Sequence, residues 1–199
     1  MIVLDAARRV FTVNYRHLDR WDVAYYRSVN WKWPKEYIRT IGTVLNRIQE
    51  TVEIDDLVSV PIIEKISFNG VLTLLDEKKR SGYKGKLFKA RSGQMIYSKI
   101  RVKQGSVCVV PRSEEWVAVS SEYPVYEIDT TLAEPKYIEL VLHSNVFKHY
   151  LEGLSHGGST KTRIHPNLFE ELAIPIPPLP IQEKIVAHWE KVQATIKTA

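Results

Sequence analysis

The chain has 199 residues, 44% of them hydrophobic and 26% charged, with a net charge of +5. These ordinary globular values exclude a disordered or fibrous chain and suit one domain, or one domain with an appendage. No apolar run approaches the ~20 residues needed to cross a bilayer, and Asp5, Arg8 and Arg9 interrupt the stretch where a signal peptide needs apolar residues, so a cytoplasmic location without membrane contact is expected. The single cysteine, Cys108, excludes an intrachain disulfide; flanked by Val107 and Val109 it reads as a small buried strand residue rather than a nucleophile.

The first segment, residues 1–36, is aromatic and irregular; Tyr25, Tyr26, Trp31 and Trp33 are read as core packing rather than as a base-stacking platform. Residues 37–46 have helical spacing through Ile38, Ile41 and Leu45. Short β-rich runs between turn residues follow at 57–63, 70–75, 86–91, 95–102, 106–110, 116–120 and 123–128. Glu134 and Pro135 open a helix over 137–151 that Gly153 closes. A glycine-rich loop spans 155–163, Pro166 opens a short helix to about residue 171, and 172–176 is a last strand. A long helix starts near Pro180, whose missing N–H costs nothing at a first helical position, and Glu183 suits the positive end of its dipole. Ile185, Trp189, Val192 and Ile196 then fall at spacings of four, three and four, an a/d-like seam for a partner helix, from a second copy or from the other half of a longer subunit. With strands in the middle and helices at both ends, the fold class is α+β: a globular domain over 1–178 with a central, mostly antiparallel β-rich core, and a coiled-coil-type helix over 179–199.

Charge is concentrated. Lys78, Lys79, Arg80, Lys84, Lys86, Lys89, Arg91, Lys99, Arg101 and Lys103 lie in one stretch without an Asp or Glu, which carries +10 and leaves −5 for the rest of the chain. That is the footprint of a polyanion-binding protein. Residues 78–86, with Lys79, Arg80, Tyr83, Lys84 and Lys86, read as a basic loop between strands that can enter a groove. Within 97–101, strand alternation puts Lys99 and Arg101 on one face with Tyr97 beside them, which suits phosphate contact or guanine readout. The glycine-rich loop is the sharpest candidate: Gly157 and Gly158 allow close backbone approach, and His156, Ser159, Thr160, Lys161 and Arg163 supply donors and cations of the kind that hold DNA phosphates. A rival pattern pairs Asp55 and Asp56 with Glu77-x-Lys79, the loose arrangement of a Mg²⁺-dependent nuclease in which two carboxylates hold the metal and a lysine orients water. No zinc-ligand spacing, nucleophile elbow or nucleotide-binding glycine motif occurs, so no cofactor is expected.

Several motifs occur in an order that resembles the target-recognition domains in the specificity subunits of Type I restriction–modification systems. They are residues 20–26 (RWDVAYY); 93–101 (GQMIYSKIR), with Gln94 where the family usually has Asp; 119–123 (VSSEY); the loop 157–164 (GGSTKTRI); and the run 172–186 (LAIPIPPLPIQEKIV) that enters the long helix. The resemblance implies a non-catalytic subunit that reads double-stranded DNA, one half of a bipartite target per domain. It also implies methyltransferase and restriction subunits as partners, which carry out methylation and cleavage, and two recognition domains joined by long conserved helices.

Overall fold

Strands β1 (Ile2–Asp5) and β2 (Val10–Val13) pair antiparallel, with Ile2 opposite Val13. They open a computed structural model that describes residues 2–5, 10–13, 31–52, 59–153 and 163–198. The helix expected over 37–46 is absent. Its place is taken by a 3-10 turn (Lys35–Tyr37), strand β3 (Ile38–Thr40), a second 3-10 turn (Ile41–Thr43) and strand β4 (Leu45–Ile48). The run holds the β-branched residues Ile38, Thr40, Ile41, Thr43, Val44 and Ile48, which fit a pleated surface better than a helix. The apolar spacing that suggested a helix is a by-product of that density.

Strands β5 (Ile63–Ile66) and β6 (Leu72–Leu74) form a hairpin, followed by the short helix α1 (Glu77–Arg80). Next come β7 (Leu87–Arg91), β8 (Met95–Tyr97), β9 (Val107–Val109), β10 (Trp116–Ser120) and β11 (Val125–Ile128). A four-stranded antiparallel sheet runs in the order β4-β11-β8-β9, while β7 and β10 pair separately. Period-2 alternation then decides the layering. Met95, Tyr97, Val107, Tyr126 and Ile128 face one side and pack with residues of the later helices, among them Ile138, Leu142, Phe147 and Phe169. Ile96, Cys108 and Val125 face the other side and pack with Ala90, Val117, Val119, Ile63 and Ile66. Cys108 is thus buried, as expected, and burial pushes its thiol pKa up.

The expected strand over 95–102 stops at Tyr97. The Ser98 hydroxyl accepts from the Arg101 N–H at 3.2 Å, and the Ser98 carbonyl accepts from the Val102 N–H at 2.9 Å, which curls the chain into a 3-10 turn (Val102–Gln104). Gly105, at φ +101°, ends that turn; an added Cβ would lie 2.7 Å from the Phe68 carbonyl.

The helix expected over 137–151 is two helices, α2 (Pro135–His143) and α3 (Asn145–Gly153). Glu134 caps α2 by accepting from the Tyr137 N–H. Ser144 takes an extended ψ of 147°, and its hydroxyl accepts from the Phe147 N–H at 3.2 Å, an N-cap placed where the sequence pattern runs on unbroken. Helix α4 (Pro166–Glu171), strand β12 (Ala173–Pro175) and helix α5 (Leu179–Thr198) complete the chain. β12 pairs with β3, Ala173 opposite Thr40, and Trp31 seals this edge by donating from its indole N–H to the Ala173 carbonyl at 2.8 Å.

One polar side chain fastens α5 to the domain. Gln182 is fully buried; its carbonyl accepts from the Glu134 N–H at 2.9 Å, and its amide donates to the Leu132 carbonyl at 2.9 Å and the Pro177 carbonyl at 2.6 Å. Val186 and Ile185 pack on the core next to it.

Candidate nucleic-acid interface

Three chain segments meet beside the end of β8. The Lys99 N–H donates to the Glu122 carbonyl at 3.0 Å, and the Ile164 N–H donates to the Lys99 carbonyl at 2.8 Å. The Tyr97 hydroxyl donates to the Ile164 carbonyl at 3.0 Å. Residue 99 is therefore held on both sides, and its half-buried side chain leaves a backbone that cannot swing. Across the junction, Arg163 Nη2 lies 3.2 Å from Glu122 Oε1. The second oxygen, Oε2, is buried and has no partner among the described residues.

Next to this junction lies a cleft of about 80 Å³ between the end of β4, β7 and the 121–124 turn; Arg47, Gln49, Phe88, Lys99, Ser121 and Tyr123 line it. Its apolar walls come from Ile48, Phe88, Pro124, Val125 and Pro166, and its charges from Arg47 and Lys99. Lys86 extends the basic surface outward, with its ammonium 5.4 Å from the Phe88 ring centroid. Arg101 is close enough to Tyr123 to draw the phenol's pKa down, against burial, which dominates and raises it. Arg47 and Lys99, distant in the sequence, thus line one cleft, while Lys86 lies over its Phe88 wall and Arg163 pairs with Glu122 of the adjoining turn.

The cleft rests on stacked aromatics. The Tyr97 and Phe169 rings lie 4.1 Å apart at 22°, and Tyr97 and Tyr126 lie 6.1 Å apart at 24°. All three are fully buried, and burial raises the pKa of both phenols, so their hydroxyls remain donors. Phe169 anchors α4, which places Asn167 and Glu170 beside Arg47: Arg47 Nε lies 3.5 Å from Glu170 Oε1, and Arg47 Nη1 donates to Asn167 Oδ1 at 3.4 Å. The Tyr126 hydroxyl donates to the same Glu170 oxygen at 3.0 Å.

The structure separates the residues singled out from the sequence. Lys99 lines the cleft, Arg163 adjoins it through the Ile164–Lys99 bond and Glu122, and Lys86 lies over its Phe88 wall; Arg101 follows Lys99 at the turn that ends β8. Tyr97 does not join them: it lies in the core, because the strand ends before the alternation that would have placed it beside Lys99 and Arg101. Lys79 and Arg80 sit on α1 and turn toward the hairpin, Lys79 Nζ 3.4 Å from Glu64 Oε1 and 3.8 Å from Asp76 Oδ2, and Arg80 Nε donating to the Leu75 carbonyl at 2.7 Å. Tyr83 packs with Val60, Ile62, Leu87 and Ala118, and Lys84 is exposed. His156, Gly158, Ser159, Thr160 and Lys161 lie outside the described residues, as do Asp55, Asp56, Tyr25 and Tyr26. With Lys79 engaged by Glu64, the nuclease pattern gains no supporting observation. Arg91, another of the ten clustered cations, is neutralised by Glu50 at 2.7 Å, and Lys89 lies 4.7 Å over the Trp116 ring.

The stripe on α5 also divides. Ile185 packs on the core, and Trp189 lies under Lys136 of α2, 4.7 Å from ammonium to ring. Val192 and Ile196 are 41% and 63% exposed. Among the described residues no helix is long and apolar enough to cross a membrane.

Sequence reasoning passed over Arg47, Gln49, Phe88, Asn167 and Glu170. Their positions follow from the pairing of β4 with β11 and from the packing of α4, contacts more than a hundred residues apart in the case of Arg47 and Asn167.

Comparison with known proteins gives a consistent picture. The family described as Type I restriction modification DNA specificity domain matches residues 50–199. No curated protein matches the sequence. Among solved structures, the HsdS subunit from Thermoanaerobacter tengcongensis superimposes with a TM-score of 0.63 at 19% identity, over 84% of this chain and 45% of that one. A chain from a structure described as the basis of complex assembly and conformational transition of the type I R-M system gives 0.53 at 18% identity, over 85% and 41%. The chain thus spans less than half the length of either neighbour, and at these identities the likeness is one of fold.

Proposed function

The chain belongs to the family of Type I restriction modification DNA specificity domains, and from that premise we propose that it reads duplex DNA, one half of a bipartite target, without catalysing a reaction itself. The observation that carries this reading is the pair of cations Arg47 and Lys99 lining one rigidly supported cleft, with Lys86 over its Phe88 wall and Arg163 on Glu122 beside it. Mobile surface lysines would supply attraction alone; cations set on a fixed frame supply register as well. Phosphate contacts position such a protein on the duplex, and base-edge contacts from the same frame specify the sequence.

Methylation and cleavage fall, on this reading, to methyltransferase and restriction subunits. Val192 and Ile196, exposed beyond Trp189, support the outer half of that helix as the element that meets a partner helix. Selection from a pool of duplexes randomised over a dozen base pairs tests the proposal. Enrichment of one short motif by the pure chain is expected, and a pool that stays random after several rounds would overturn it. Incubation with supercoiled plasmid and Mg²⁺ separates recognition from the nuclease alternative: plasmid left intact is expected, and nicking that disappears on Glu77→Ala would favour the nuclease.

A further inference from the structure

We propose that Arg47 is a base-reading residue that takes the major-groove edge of a guanine, and that Glu170 and Asn167 are its positioning residues. The proposal rests on the reading of this face as the DNA-binding surface. Arg47 differs from Arg163, which has one ion pair, and from Lys99 in having its guanidinium held at two points. Its Nε faces Glu170 at 3.5 Å and its Nη1 donates to Asn167 at 3.4 Å. Glu170 is itself fixed, because its carboxylate accepts from the Tyr126 hydroxyl at 3.0 Å and Tyr126 is fully buried directly opposite Arg47 in the β4–β11 register. Phe169, stacked 4.1 Å from Tyr97, locks the helix that carries both buttressing residues. Guanidinium, carboxylate, phenol and core stack form one continuous support.

A guanidinium has five N–H donors in a fixed fork. The buttress uses the Nε side and one Nη1 hydrogen, so among the described residues both Nη2 hydrogens and the second Nη1 hydrogen are unengaged. That outer edge matches the paired O6 and N7 acceptors of guanine. The adjacent carboxylate also argues against a phosphate role. A phosphate contact draws on net charge and tolerates a mobile side chain, whereas Glu170 cancels much of the charge of Arg47 and fixes its direction; only base reading gains from that exchange. Lys99, in the same cleft with no carboxylate partner among the described residues, is the complementary phosphate-binding type.

The test uses the 199-residue chain, the duplex that the wild type selects, and its single-base-pair variants. Arg47→Lys retains a cation and loses the fork. Its affinity for the selected duplex should fall about 10- to 100-fold, with discrimination lost at one G·C pair and the salt slope unchanged. Glu170→Gln retains volume and the bond to Tyr126 but releases the guanidinium; discrimination should weaken at that same base pair, a readout that a merely structural residue would not move. Equal losses on every duplex, with discrimination retained, would make Arg47 a phosphate contact and overturn the proposal, as would wild-type affinity and discrimination in Arg47→Lys. Full discrimination in Glu170→Gln would remove the positioning role. A wild-type chain that selects no motif would instead sink the DNA-recognition reading itself, an outcome distinct from all of these.

Discussion

At the scale of single residues, the site is built by giving each cation a different degree of constraint. Lys99 has a fixed backbone and a flexible stem, Arg47 has a fixed head, and Arg163 is tethered by one ion pair to Glu122. The surface pair of Arg163 and Glu122, about half and one-third exposed, adds little stability of its own and serves mainly to aim the side chain. Lys99→Ala should therefore weaken binding to all duplexes alike. In an anisotropy titration between low and physiological salt, the log–log slope should become shallower by about 1, the share of one phosphate contact. An unchanged slope accompanied by altered base preference would reassign Lys99 to base reading. Tyr97 carries the lesson in the other direction. Its alternation with Lys99 and Arg101 is real in the sequence, but Ser98 turns the chain before the pattern can act, so the tyrosine supports the site from below.

At the scale of elements, the junction between domain and helix depends on Gln182. A buried side chain that satisfies one N–H and two carbonyls, at Glu134, Leu132 and Pro177, fixes where α5 leaves the domain. Gln182→Met keeps the approximate volume and strands all three groups. Because each unpaired buried polar group costs about 1–3 kcal/mol and some relaxation is expected, the loss should be about 2–4 kcal/mol in urea denaturation with the slope m unchanged. A loss under about 0.5 kcal/mol would mean that water replaces the side chain and that the junction is not specified by it. Elements of this kind were legible in sequence where local chemistry is strong. The strands around Phe88, Cys108 and Val117, the Pro-initiated helices at Pro135 and Pro166, and the entry to α5 all follow from β-branched runs, turn residues and caps. The segment at Ile38–Val44 was not legible as strand, because isoleucines that serve two short strands and a 3-10 turn mimic a helical period. The break at Ser144 carried a capping residue as its signal, hidden within an otherwise continuous helical pattern.

At the scale of the whole molecule, the dense run of cations proves to be distributed. Some are spent on internal partners, as with Arg91 on Glu50, Lys79 on Glu64, Lys89 on Trp116 and Arg80 on the Leu75 carbonyl, and of the ten only Lys99 lines the cleft, with Lys86 over its Phe88 wall. Charge counting along the sequence therefore overstates how many cations lie at the candidate cleft, and it misses Arg47, which only the long-range pairing of β4 brings there. Of the α5 stripe, Ile185 and Trp189 are taken up by the domain, whereas Val192 and Ile196 are exposed. DNA reading and helix-mediated assembly are consequently assigned to separate surfaces. The most direct test of that assignment is backbone-amide NMR of the labelled chain titrated with the selected duplex. Shifts concentrated at Arg47, Gln49, Lys99, Ser121, Tyr123 and Arg163, with the amides of residues 186–196 undisturbed, are the predicted result. Shifts centred on α5 or on the β5–β6 hairpin, with the cleft silent, would contradict it.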